Sequence, residues 1–536
     1  MTGARIDRRS FGLGAAGAWL LGCDDTEQTP RVRAPTTQRV AVVGGGVAGL
    51  YCAGWLFGAS VEVQLYEALP RLGGRVFTAR NAFQPALLCE LGAEFLGAYD
   101  AAMHTLAGDA GVQLSPVTIP EGFTARRFWL GGAEVSQQQL EQGLSVLLPK
   151  AEAAMATKTA RATLDNTTLA EWLAANTGDD ASLLHALTAA YRTEFGVEPS
   201  ELSAMHLSAL LGRASGVPFH FFPLRGATLR CETTANPDNS GMDRLTARIA
   251  DALVDNLHFE CRLRRITRNS GRFTLSFEQS NGLGFETEAE HVVLAIPFSA
   301  LRDVDFSGLN LERSKRQWIA ELGYGNAVKL AATFNGKPWR FERSTGDVLD
   351  DTRRLWESGG GSGTIGLLAA VLGGDAGLAA LSGSADDQFA PILAELKQLF
   401  QTVNVEDAYR AGSAVRVAWP TQPFARGSAS CLRPGQWARQ AEIARRDGDL
   451  HFCGEHCSLD FQGRLEGAAE SGALAAAEIL EDLKRPMLEP HAKLVAMKRK
   501  VWQPYGSAGD APELSPIERA ERVLEQHAEY IAGLEA

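Results

Sequence analysis

The fold is decided by the stretch RVAVVGGGVAGL, which runs from Arg39 to Leu50. Its apolar, β-branched part ends at Val43 and predicts a buried strand, while residues 51–58 continue in a helix-like pattern. Residues 61–67 then alternate between apolar and polar side chains, which predicts a second strand. The order strand, glycine turn, helix, strand is that of a Rossmann-type dinucleotide-binding unit.

The glycines of this stretch have the spacing that a dinucleotide pyrophosphate requires. Gly44 permits a tight turn, Gly46 leaves out the Cβ that would block the pyrophosphate, and Gly49 lets the helix pack closely on the strand. The backbone amides at the helix N-terminus then face the anion. Glu67 ends the second strand, where its carboxylate can accept both hydroxyls of a ribose. The predicted cofactor contacts of this unit are Gly44, Gly46, Val47, Ala48, Gly49 and Glu67.

The composition is that of a folded globular protein. The chain has 536 residues, of which 45% are hydrophobic and 22% charged, which excludes a disordered, collagen-like or polytopic membrane protein. A single core stops growing at about 250–300 residues, so about two to four structural units are expected. The net charge of -12 and the lack of a long Lys/Arg run give no electrostatic reason to expect a nucleic-acid partner.

Motifs along the rest of the chain resemble the signatures of one enzyme family. They are EALPRLGGR (67–75), ELGAEF (90–95), GMDRL (241–245), HVVLAIP (291–297), YGNAVKL (324–330), LHFCGEH (450–456) and GAAESG (467–472). In type and order they resemble those of the flavin-containing amine oxidases, which include monoamine, polyamine and L-amino-acid oxidases. The resemblance covers residues 39–482, and from it the chain is identified as a member of this family. The signal-like residues described below lead us to expect an exported bacterial member.

This resemblance implies an α/β fold of the two-dinucleotide-binding-domain flavoprotein type, with a Rossmann-type FAD-binding domain and an interleaved α+β substrate domain. The implied segments are 39–113, 236–300 and 445–483 for the FAD-binding domain, and 114–235 and 301–444 for the substrate domain. Monoamine oxidases carry a cysteine that bonds the flavin where this chain has Ser428. The resemblance therefore implies that FAD is bound non-covalently.

The resemblance also assigns residues around the flavin. Lys329 lies in an otherwise apolar strand, where a lysine is usually a snorkelling edge residue, but in the family the matching lysine holds a water at flavin N5. Trp419 corresponds to a residue beside the flavin, and Leu263 to one near the adenine. The remaining assigned cofactor contacts are Arg75, Gly454, Glu455 and Leu465. The helix that follows them would aim free backbone amides at the flavin pyrimidine edge, where negative charge develops on reduction.

The substrate pocket departs from the family pattern. Two aromatic side chains usually flank the amine, but the corresponding residues here are Ala429 and Arg464. Arg464 either pairs with a substrate carboxylate or points to solvent, since a cation beside a cationic amine is unfavourable unless a carboxylate accompanies it. Phe95 stands where snake-type L-amino-acid oxidases carry an arginine. Phe222 either lines the pocket or belongs to an ordinary core turn.

The expected activity is that of an FAD-dependent amine oxidase. A hydride equivalent would pass from the amine α-carbon to flavin N5, the imine would hydrolyse to an aldehyde or ketone, and oxygen would be reduced to hydrogen peroxide. The expected partners are therefore a small-molecule amine or amino acid and oxygen. The alternatives are an L-amino-acid oxidase, a carbon–carbon desaturase on the same fold, or a non-catalytic, lipid-anchored flavin-binding protein.

The first residues have the pattern of an export signal. Arg8 and Arg9 resemble a twin-arginine signal, and the apolar stretch 12–21 that follows is too short to span a bilayer of about 30 Å. The segment before Cys23 resembles a lipobox, with a chance cysteine as the alternative. Residues 1–38 are thus expected to be a signal and tether, and the protein to be periplasmic or anchored to a bacterial membrane by a lipid.

The cysteines and histidines predict neither a disulfide framework nor a metal site. Without Cys23 the chain has seven cysteines, an odd number spread over a long chain. His451, Cys453, His456 and Cys457 are close in sequence, but the last two lie beyond a glycine turn, so that a single tetrahedral site is awkward. We therefore expect no metal.

Residues 484–536 lie beyond the family resemblance. They are charged, and residues 518–534 have helical periodicity after a helix-start pattern at Ser515. A packed terminal helix is the ordinary interpretation, and a surface that faces a partner or a membrane is the alternative.

Overall fold

The computed structural model describes residues 37–80, 82–83, 87–212, 228–231, 240–359, 364–501 and 516–535. The predicted export signal and Cys23 lie outside these residues, and so does the candidate pocket residue Phe222.

Strands and α-helices alternate along the described residues. The strands are β1 (Thr37–Val43), β2 (Val63–Tyr66), β3 (Thr78–Ala79), β4 (Cys89–Glu90), β5 (Leu96–Gly97), β6 (Ser115–Pro116), β7 (Arg127–Leu130), β8 (Ala133–Val135), β9 (Thr228–Arg230), β10 (Leu257–His258), β11 (Cys261–Asn269), β12 (Arg272–Gln279), β13 (Gly284–Leu294), β14 (Asp305–Gly308), β15 (Gly323–Tyr324), β16 (Val328–Asn335), β17 (Val348–Asp350), β18 (Arg353–Glu357), β19 (Ile365–Leu372), β20 (Val415–Ala418), β21 (Ser430–Cys431) and β22 (Leu450–Phe452). The helices are α1 (Val47–Gly58), α2 (Ala101–Ala110), α3 (Gln137–Met155), α4 (Lys158–Asp165), α5 (Leu169–Asn176), α6 (Ala181–Phe195), α7 (Leu207–Gly212), α8 (Asp243–Ala252), α9 (Phe298–Leu301), α10 (Arg313–Glu321), α11 (Gly374–Ala379), α12 (Ala385–Leu399), α13 (Val405–Ala408), α14 (Leu465–Asp482), α15 (Glu489–Val501) and α16 (Pro516–Glu535).

Among the described residues, a mixed sheet of eight strands carries the glycine turn. Its order is β10-β2-β1-β13-β12-β11-β14, and β22 also pairs with β13. β1 runs parallel to both of its neighbours, with Val43 opposite Leu294 on one side and Tyr66 on the other. Its apolar residues are buried on both faces, as expected for a central parallel strand. The glycine turn follows the carboxyl end of β1, which is where open α/β sheets bind nucleotides.

Two helices cross at this turn. α1 begins at Val47, directly after the glycines. α14 lies across α1 so closely that a Cβ at Gly472 would meet the carbonyl oxygen of Ala48 at 2.3 Å. Because only a glycine fits at this crossing, α14 is fixed against the start of the helix that follows the turn.

A second sheet, of seven strands within the described residues, borders the same cavity as the first. Its order is β20-β16-β19-β18-β17-β7-β8. β16 is buried along its length except at Asn335. One side of the sheet packs against α12, and the other contributes Ala331, Trp356 and Val417 to an apolar cluster. Buried residues therefore cover both sides of β16.

A helical layer follows β8 in the chain. α5 begins after a capping box formed by Thr168 and Glu171. α6 comes next and ends at Phe195. Together with α3, α4 and α7, these helices share one apolar core.

The last two helices pack on the nucleotide-binding core. α15 buries Leu494 in the same cluster as α1 and α14, and its His491 stacks on Trp55 with ring centroids 3.8 Å apart. α16 covers the segment whose periodicity predicts a helix. Its His527 donates a hydrogen bond to the Tyr99 carbonyl at 2.7 Å. Residues after the family resemblance thus belong to the folded body.

The described helices include none that is long and apolar enough to cross a lipid bilayer. The cysteines that the structure describes are free and buried: Cys52, Cys89, Cys231, Cys261, Cys431, Cys453 and Cys457. They pack as small hydrophobic side chains.

Candidate active site

A cavity of about 390 Å³ is lined by residues of both sheets. It extends from the glycine turn after β1 to Lys329 on β16, and the first residues of α14 also line it. Segments that are far apart in sequence therefore meet in one space.

Most residues that the sequence predicted for the cofactor line this cavity. They are Gly44, Gly46, Val47, Ala48, Glu67, Arg75, Leu263, Trp419, Gly454, Glu455 and Leu465. Lys329 and the pocket candidates Phe95, Ala429 and Arg464 line it as well. Gly49 packs behind the turn, where a Cβ would meet the Gly44 carbonyl oxygen at 2.0 Å.

The glycine turn leaves room for an anion. Gly44 has a φ of +111°, and a Cβ there would meet the Ala295 carbonyl oxygen at 2.6 Å, so the tight turn requires glycine. Among the residues that the structure describes, none apart from its chain neighbours lies within 4 Å of a Cβ placed at Gly46. Gly46 is also the N-cap of α1, and no described side chain caps this helix end. Open space in front of free amides is a ready site for a pyrophosphate.

Glu67 is buried beside the glycine turn. Its carboxylate accepts hydrogen bonds from the backbone amides of Gly45 and Leu69, both at 2.7 Å. Burial raises the pKa of Glu67, while these amide bonds and Arg71 oppose the rise. Each carboxylate oxygen has a further lone pair. The group can therefore still accept ribose hydroxyls in the cavity that it lines.

The N-terminus of α14 provides a second set of free amides. The helix begins at Leu465, and no side chain in the described part of the chain caps it. Leu465 and the preceding Arg464 both line the cavity. Amides at an uncapped N-terminus stabilise negative charge, which is what the flavin pyrimidine edge requires.

Glu455 fixes the loop before α14. Its carboxylate accepts hydrogen bonds from the Ser430 amide at 3.1 Å, the Ser430 hydroxyl at 2.6 Å and the Gly463 amide at 2.7 Å. It also pairs with Arg75, whose Nη1 lies 2.7 Å away. Burial opposes ionisation, yet Arg75 and the other partners hold the pKa of Glu455 below its usual range. This ion pair connects the loop that contains Arg75 to the segment that follows β22.

Lys329 is a buried cation that faces the cavity from β16. Its Nζ donates to Glu94 Oε2 at 2.9 Å and to the Gly92 carbonyl at 3.1 Å. The same nitrogen lies 4.7 Å from the Trp356 ring centroid. An ammonium group has three donors, so one N–H direction remains for a water in the cavity.

Glu94 is the acceptor that organises this end of the cavity. Besides Lys329, it accepts hydrogen bonds from Trp356 Nε1 at 2.8 Å and Ser358 Oγ at 3.1 Å. It also pairs with Arg230 at 2.9 Å. Burial opposes its charge, but Lys329 and Arg230 hold the pKa of Glu94 below its usual range. One buried carboxylate thus binds two cations and an indole.

Arg354 and Phe95 lie next to this cluster. The Arg354 guanidinium is 5.3 Å from the Phe95 ring centroid and 5.1 Å from that of Trp356. It pairs with Asp347 at 2.9 Å, while its buried Nε has no hydrogen-bond partner among the described residues. The Arg230 guanidinium lies 4.8 Å from the same Phe95 ring. Phe95, which stands where some relatives have an arginine, is therefore flanked by arginines from other strands.

Arg464 faces the cavity as half of an ion pair. Its Nη2 lies 3.0 Å from Glu194 Oε1, and both residues line the cavity. Burial raises the pKa of Glu194, against the attraction of Arg464 and Arg354. Of the two orientations left open by the sequence, the structure has the one in which Arg464 borders the pocket. Ala429 lines the same cavity and leaves free the volume that an aromatic side chain would fill.

Several residues at the Lys329 end of the cavity were not predicted from the sequence. Glu94 is the fifth residue of the ELGAEF motif, which was recognised only as a family signature. Arg354 and Trp356 share one face of β18 in the run RRLWE, where arginine in a strand between apolar strands was an available signal. Glu194 lies near the end of α6, and a helical pattern does not indicate what its last turn contacts.

These features fit a flavin dinucleotide. The open space at Gly46 accommodates a pyrophosphate, the Glu67 carboxylate a ribose, and the amides of α14 an electron-rich ring. Ser428 lines the cavity at the place of the linking cysteine, and its hydroxyl accepts from the Ala327 amide at 3.3 Å. A hydroxyl there supplies no thiol for a covalent link to the flavin.

Comparisons with known proteins agree with this geometry. Residues 47–480 match the family model of flavin-containing amine oxidoreductases. The AofH protein of Mycobacterium tuberculosis, named as a flavin-containing monoamine oxidase, is 25% identical over 476 residues, which are 83% of this chain and 97% of its own. The flavin-dependent L-tryptophan oxidase RebO of Lentzea aerocolonigenes is 26% identical over 487 residues, which are 83% of this chain and 98% of its own.

A solved structure shares the fold. Cyclohexylamine oxidase from Brevibacterium oxydans matches with a TM-score of 0.72 at 22% identity, over 84% of this chain and 100% of that chain. The fold class predicted from the motifs is thereby confirmed. Because the family model spans most of the sequence, the chain belongs to the flavin-containing amine oxidoreductase family, and it is an FAD-dependent oxidoreductase.

Proposed function

We propose that this enzyme oxidises a small-molecule amine at the carbon next to nitrogen and releases an imine that water converts to an aldehyde or ketone. FAD, held by the glycine turn, Glu67 and the first amides of α14, would supply the redox chemistry: two-electron oxidation of the amine and reduction of oxygen to hydrogen peroxide. The observation that carries the proposal is the single cavity in which the Lys329–Glu94 pair meets the glycine turn and the start of α14. Holding two reactants in one enclosed space is the main requirement for such a transfer.

The chain's own groups have separate tasks in this reaction. Backbone amides at the two uncapped helix ends bind the cofactor and favour its negative charge. The remaining N–H of Lys329 holds a water, which serves hydrolysis of the imine or reoxidation. Trp356 and Trp419 are buried beside it and exclude bulk water.

Addition of amines to the purified protein in the absence of oxygen tests the proposal. Bleaching of the flavin absorbance, followed by peroxide and aldehyde or ketone when oxygen is admitted, is the expected result. Bleaching without release of a carbonyl product or ammonia would indicate desaturation of a carbon–carbon bond instead. If no amine or amino acid of a broad panel bleached the flavin, the protein would bind flavin without catalysing amine oxidation.

Lys329→Met tests the role of the lysine. We expect the variant to keep bound FAD and to turn over more slowly, because the water loses its donor. Lys337→Met is the control, since Lys337 follows the same strand but pairs with Glu357 at 2.7 Å and does not line the cavity. Unchanged steady-state kinetics in Lys329→Met would remove the assignment.

A second candidate function is oxidation of an amine that carries a carboxylate, such as an α-amino acid. The cations at this end are Lys329, Arg230, Arg354, Arg464 and Arg126, whereas the carboxylates near them are Glu94, Glu194, Asp347 and Asp100. Burial raises the pKa of Asp100 to about 7. The excess of positive charge disfavours a simple cationic amine and favours a carboxylate next to it. Arg354 lines the cavity and is the cation that we propose for this carboxylate, and among the similar proteins RebO is named for L-tryptophan.

Tryptophan and tryptamine differ only by the carboxylate and separate the two candidates. If the carboxylate is recognised, kcat/KM is higher for tryptophan, and Arg354→Met lowers it about 10- to 100-fold for tryptophan alone, since a charge-assisted hydrogen bond is lost. Arg353→Met is the control, because Arg353 precedes it on the opposite face of β18 and pairs with Asp350 at 2.6 Å. A preference for tryptamine, unchanged by Arg354→Met, would exclude the second candidate.

We also propose that the protein is exported and held at a membrane by a lipid on Cys23. The support is the sequence pattern of residues 1–38 alone. In cell fractionation, Cys23→Ala should move from the membrane to the soluble exported fraction, and a double Arg8→Lys and Arg9→Lys variant should stay inside the cell. The same location for all three proteins would contradict this proposal.

A further inference from the structure

Two histidines and an aspartate meet at the end of α14 that is distant from the cavity. His291 lies on β13, His451 on β22, and Asp482 is the last residue of α14. The helix has 18 residues, and its first residue lines the cavity. At about 1.5 Å per residue, the cluster is about 25 Å from the flavin end of the helix. It is therefore separate from the candidate active site.

The sheet brings the two histidines to one face. β13 and β22 are parallel, with Val293 opposite His451. His291 precedes Val293 by two positions, and side chains two positions apart in a strand share a face. The two imidazole ring centroids are 5.8 Å apart. The register of β13 and β22 thus places the two histidines side by side, and α14 supplies the carboxylate of Asp482.

Both rings carry a buried nitrogen atom without a partner. His291 is 7% exposed and His451 is 0% exposed. Within the described part of the chain, His291 Nδ1 and His451 Nε2 have no hydrogen-bond partner. Buried polar atoms without a partner are uncommon, and each one calls for an explanation. Two of them on neighbouring rings beside a carboxylate are what a bound cation would satisfy.

Glu478 holds the His451 ring in the orientation that a ligand needs. The ring's Nδ1 lies 2.8 Å from Glu478 Oε2. Histidines that bind metals usually make such a contact through their other nitrogen, which fixes the tautomer and leaves the second nitrogen as the ligand. The contact is one turn before Asp482 on α14, so a single helix end provides both the orienting group and a ligand.

One competing cation borders the cluster. Arg446 binds the Asp482 carboxylate through both of its terminal nitrogens. A carboxylate offers about four acceptor positions, so Asp482 can serve Arg446 and a second cation together. The negative end of the α14 dipole lies at the same place and favours a cation.

We propose that His291, His451 and Asp482 bind one divalent transition-metal ion of the zinc type, with water as the fourth ligand. One ligand atom of each residue lies within 4.8 Å of the other two. Bonds of about 2.0–2.2 Å in a tetrahedron bring ligand atoms to about 3.4 Å from one another, so the group contracts when the ion binds. The Asp482 side chain is 33% exposed and provides this movement. Two imidazoles and one carboxylate suit zinc and its neighbours better than calcium or magnesium.

This site differs from the cluster considered in the sequence. Among the described residues, the metal-capable group contains His451 but not Cys453, His456 or Cys457. Its ligands come from two strands and a helix, so the ion would fasten the end of α14 to the sheet. An ion at this place was not predicted from the sequence, from which no metal was expected.

Metal titration of the full-length protein with FAD bound and without a histidine tag tests the site. After dialysis against a chelator, zinc and cobalt are added and followed by calorimetry, by thermal unfolding and by the visible absorption of tetrahedral cobalt above the flavin spectrum. We expect one ion per chain, displacement of cobalt by zinc, and a higher thermal midpoint with zinc.

Variants on one helix turn provide the matched comparison. Asp482→Asn should weaken zinc binding about tenfold or more, and Glu478→Gln about 10- to 100-fold through loss of the orienting contact. Glu481→Gln should bind as the wild type does, because Glu481 lies next to Asp482 but pairs with Arg499. His291→Gln, with its fold checked by retained FAD, should lose the cobalt spectrum. Absence of saturable binding in the wild type, or equal binding by wild type, Asp482→Asn and His291→Gln, would overturn the proposal.

Discussion

The two ends of the cavity are built from different kinds of group. At the cofactor end, the contacts for the pyrophosphate and the flavin ring are backbone amides at the uncapped starts of α1 and α14, and the Glu67 carboxylate is the contact for a ribose. The other end, around Lys329, is called the amine end, and its contacts are charged side chains. There Glu94 binds both Lys329 and Arg230. Amides keep their dipoles whether or not a ligand is bound, whereas a buried charge needs its partner at all times.

This difference predicts how each end responds to change. A substitution at the cofactor end should reduce FAD binding while the protein remains folded. A substitution at the amine end should reduce stability and turnover together, because the same charges hold the strands and face the substrate. Variants in which FAD affinity and the free energy of unfolding are both measured therefore test whether the two ends differ in this way.

Gly46→Leu should have the largest effect. Its side chain would occupy the open space in front of the α1 amides, where a Cβ meets nothing within 4 Å. We expect FAD affinity to fall by about 100-fold or more, with little change in the unfolding of the apoprotein. Flavin absorbance after purification and after addition of FAD measures the loss. Gly108→Ala on α2 also meets nothing within 4 Å and is the control; yellow Gly46→Leu protein would contradict the prediction.

Glu94→Gln should have the next largest effect. It leaves Lys329 and Arg230 without their shared carboxylate in a buried setting, which costs about 3–5 kcal/mol in the free energy of unfolding. Urea denaturation measures this loss, and the double variant with Lys329→Met should regain part of it. Glu134→Gln breaks an exposed pair with Arg127 and should change stability by less than about 1 kcal/mol. If Glu94→Gln and Glu134→Gln were equally stable, Glu94 would not hold the buried cations in the way described.

Lys498→Met examines an exception to the comparison. Lys498 on α15 is a buried side-chain charge at the cofactor end, with Nζ 2.6 Å from both Glu466 and Glu470 in the first turns of α14. Burial already raises the pKa of Glu470, so this carboxyl can take up a proton when the lysine is absent. We therefore expect a smaller loss of about 2–3 kcal/mol, together with a changed flavin reduction potential.

The control for that change is Lys493→Met on the exposed side of α15, where Lys493 pairs with Glu489 at 2.9 Å. Its stability and potential should equal those of the wild type. If Lys498→Met shifted neither stability nor potential, the C-terminal helices would have no influence on the start of α14.

Acid should produce the smallest and most gradual effect. Burial opposes the charge of Glu94, but its cations hold its pKa below the usual range in the folded state. A carboxyl with a depressed folded-state pKa contributes stability above its unfolded pKa, about 4.3, and loses it as pH falls through the folded value. Unfolding free energies measured from pH 7 downward should decline below about 4.3, and less steeply in Glu94→Gln. If the unfolding free energies of the wild type and Glu94→Gln declined in parallel with pH, the decline would not come from Glu94.

The cofactor end could be predicted from the sequence because its chemistry is local. The spacing of Gly44, Gly46 and Gly49 determines a turn within a few residues, and the turn determines where the amides point. Glu67 follows from the length of one strand–helix–strand unit. The family inferred from these motifs is confirmed by the match over residues 47–480.

The amine end could not be predicted in the same way, because its contacts depend on sheet register. Glu94 lies in a recognisable motif, yet its partners Lys329, Trp356 and Arg230 come from separate strands. Periodicity shows that β16 and β18 are buried but not which strand faces the cavity. The pairing of Arg464 with a glutamate of α6 depends likewise on how two sheets and a helical layer meet.

The strand order also determines when the cofactor cradle exists during synthesis. β1 spans Thr37–Val43, but it pairs with Gly284–Leu294, which in turn pairs with Leu450–Phe452. A ribosome that adds about 5–20 residues per second needs about 20 to 90 s to reach that last strand. A nascent chain thus carries its glycine turn through most of translation without the neighbours that shape it. Coenzyme loading is consequently an event of the nearly complete or released polypeptide, and a stalled chain would carry no colour.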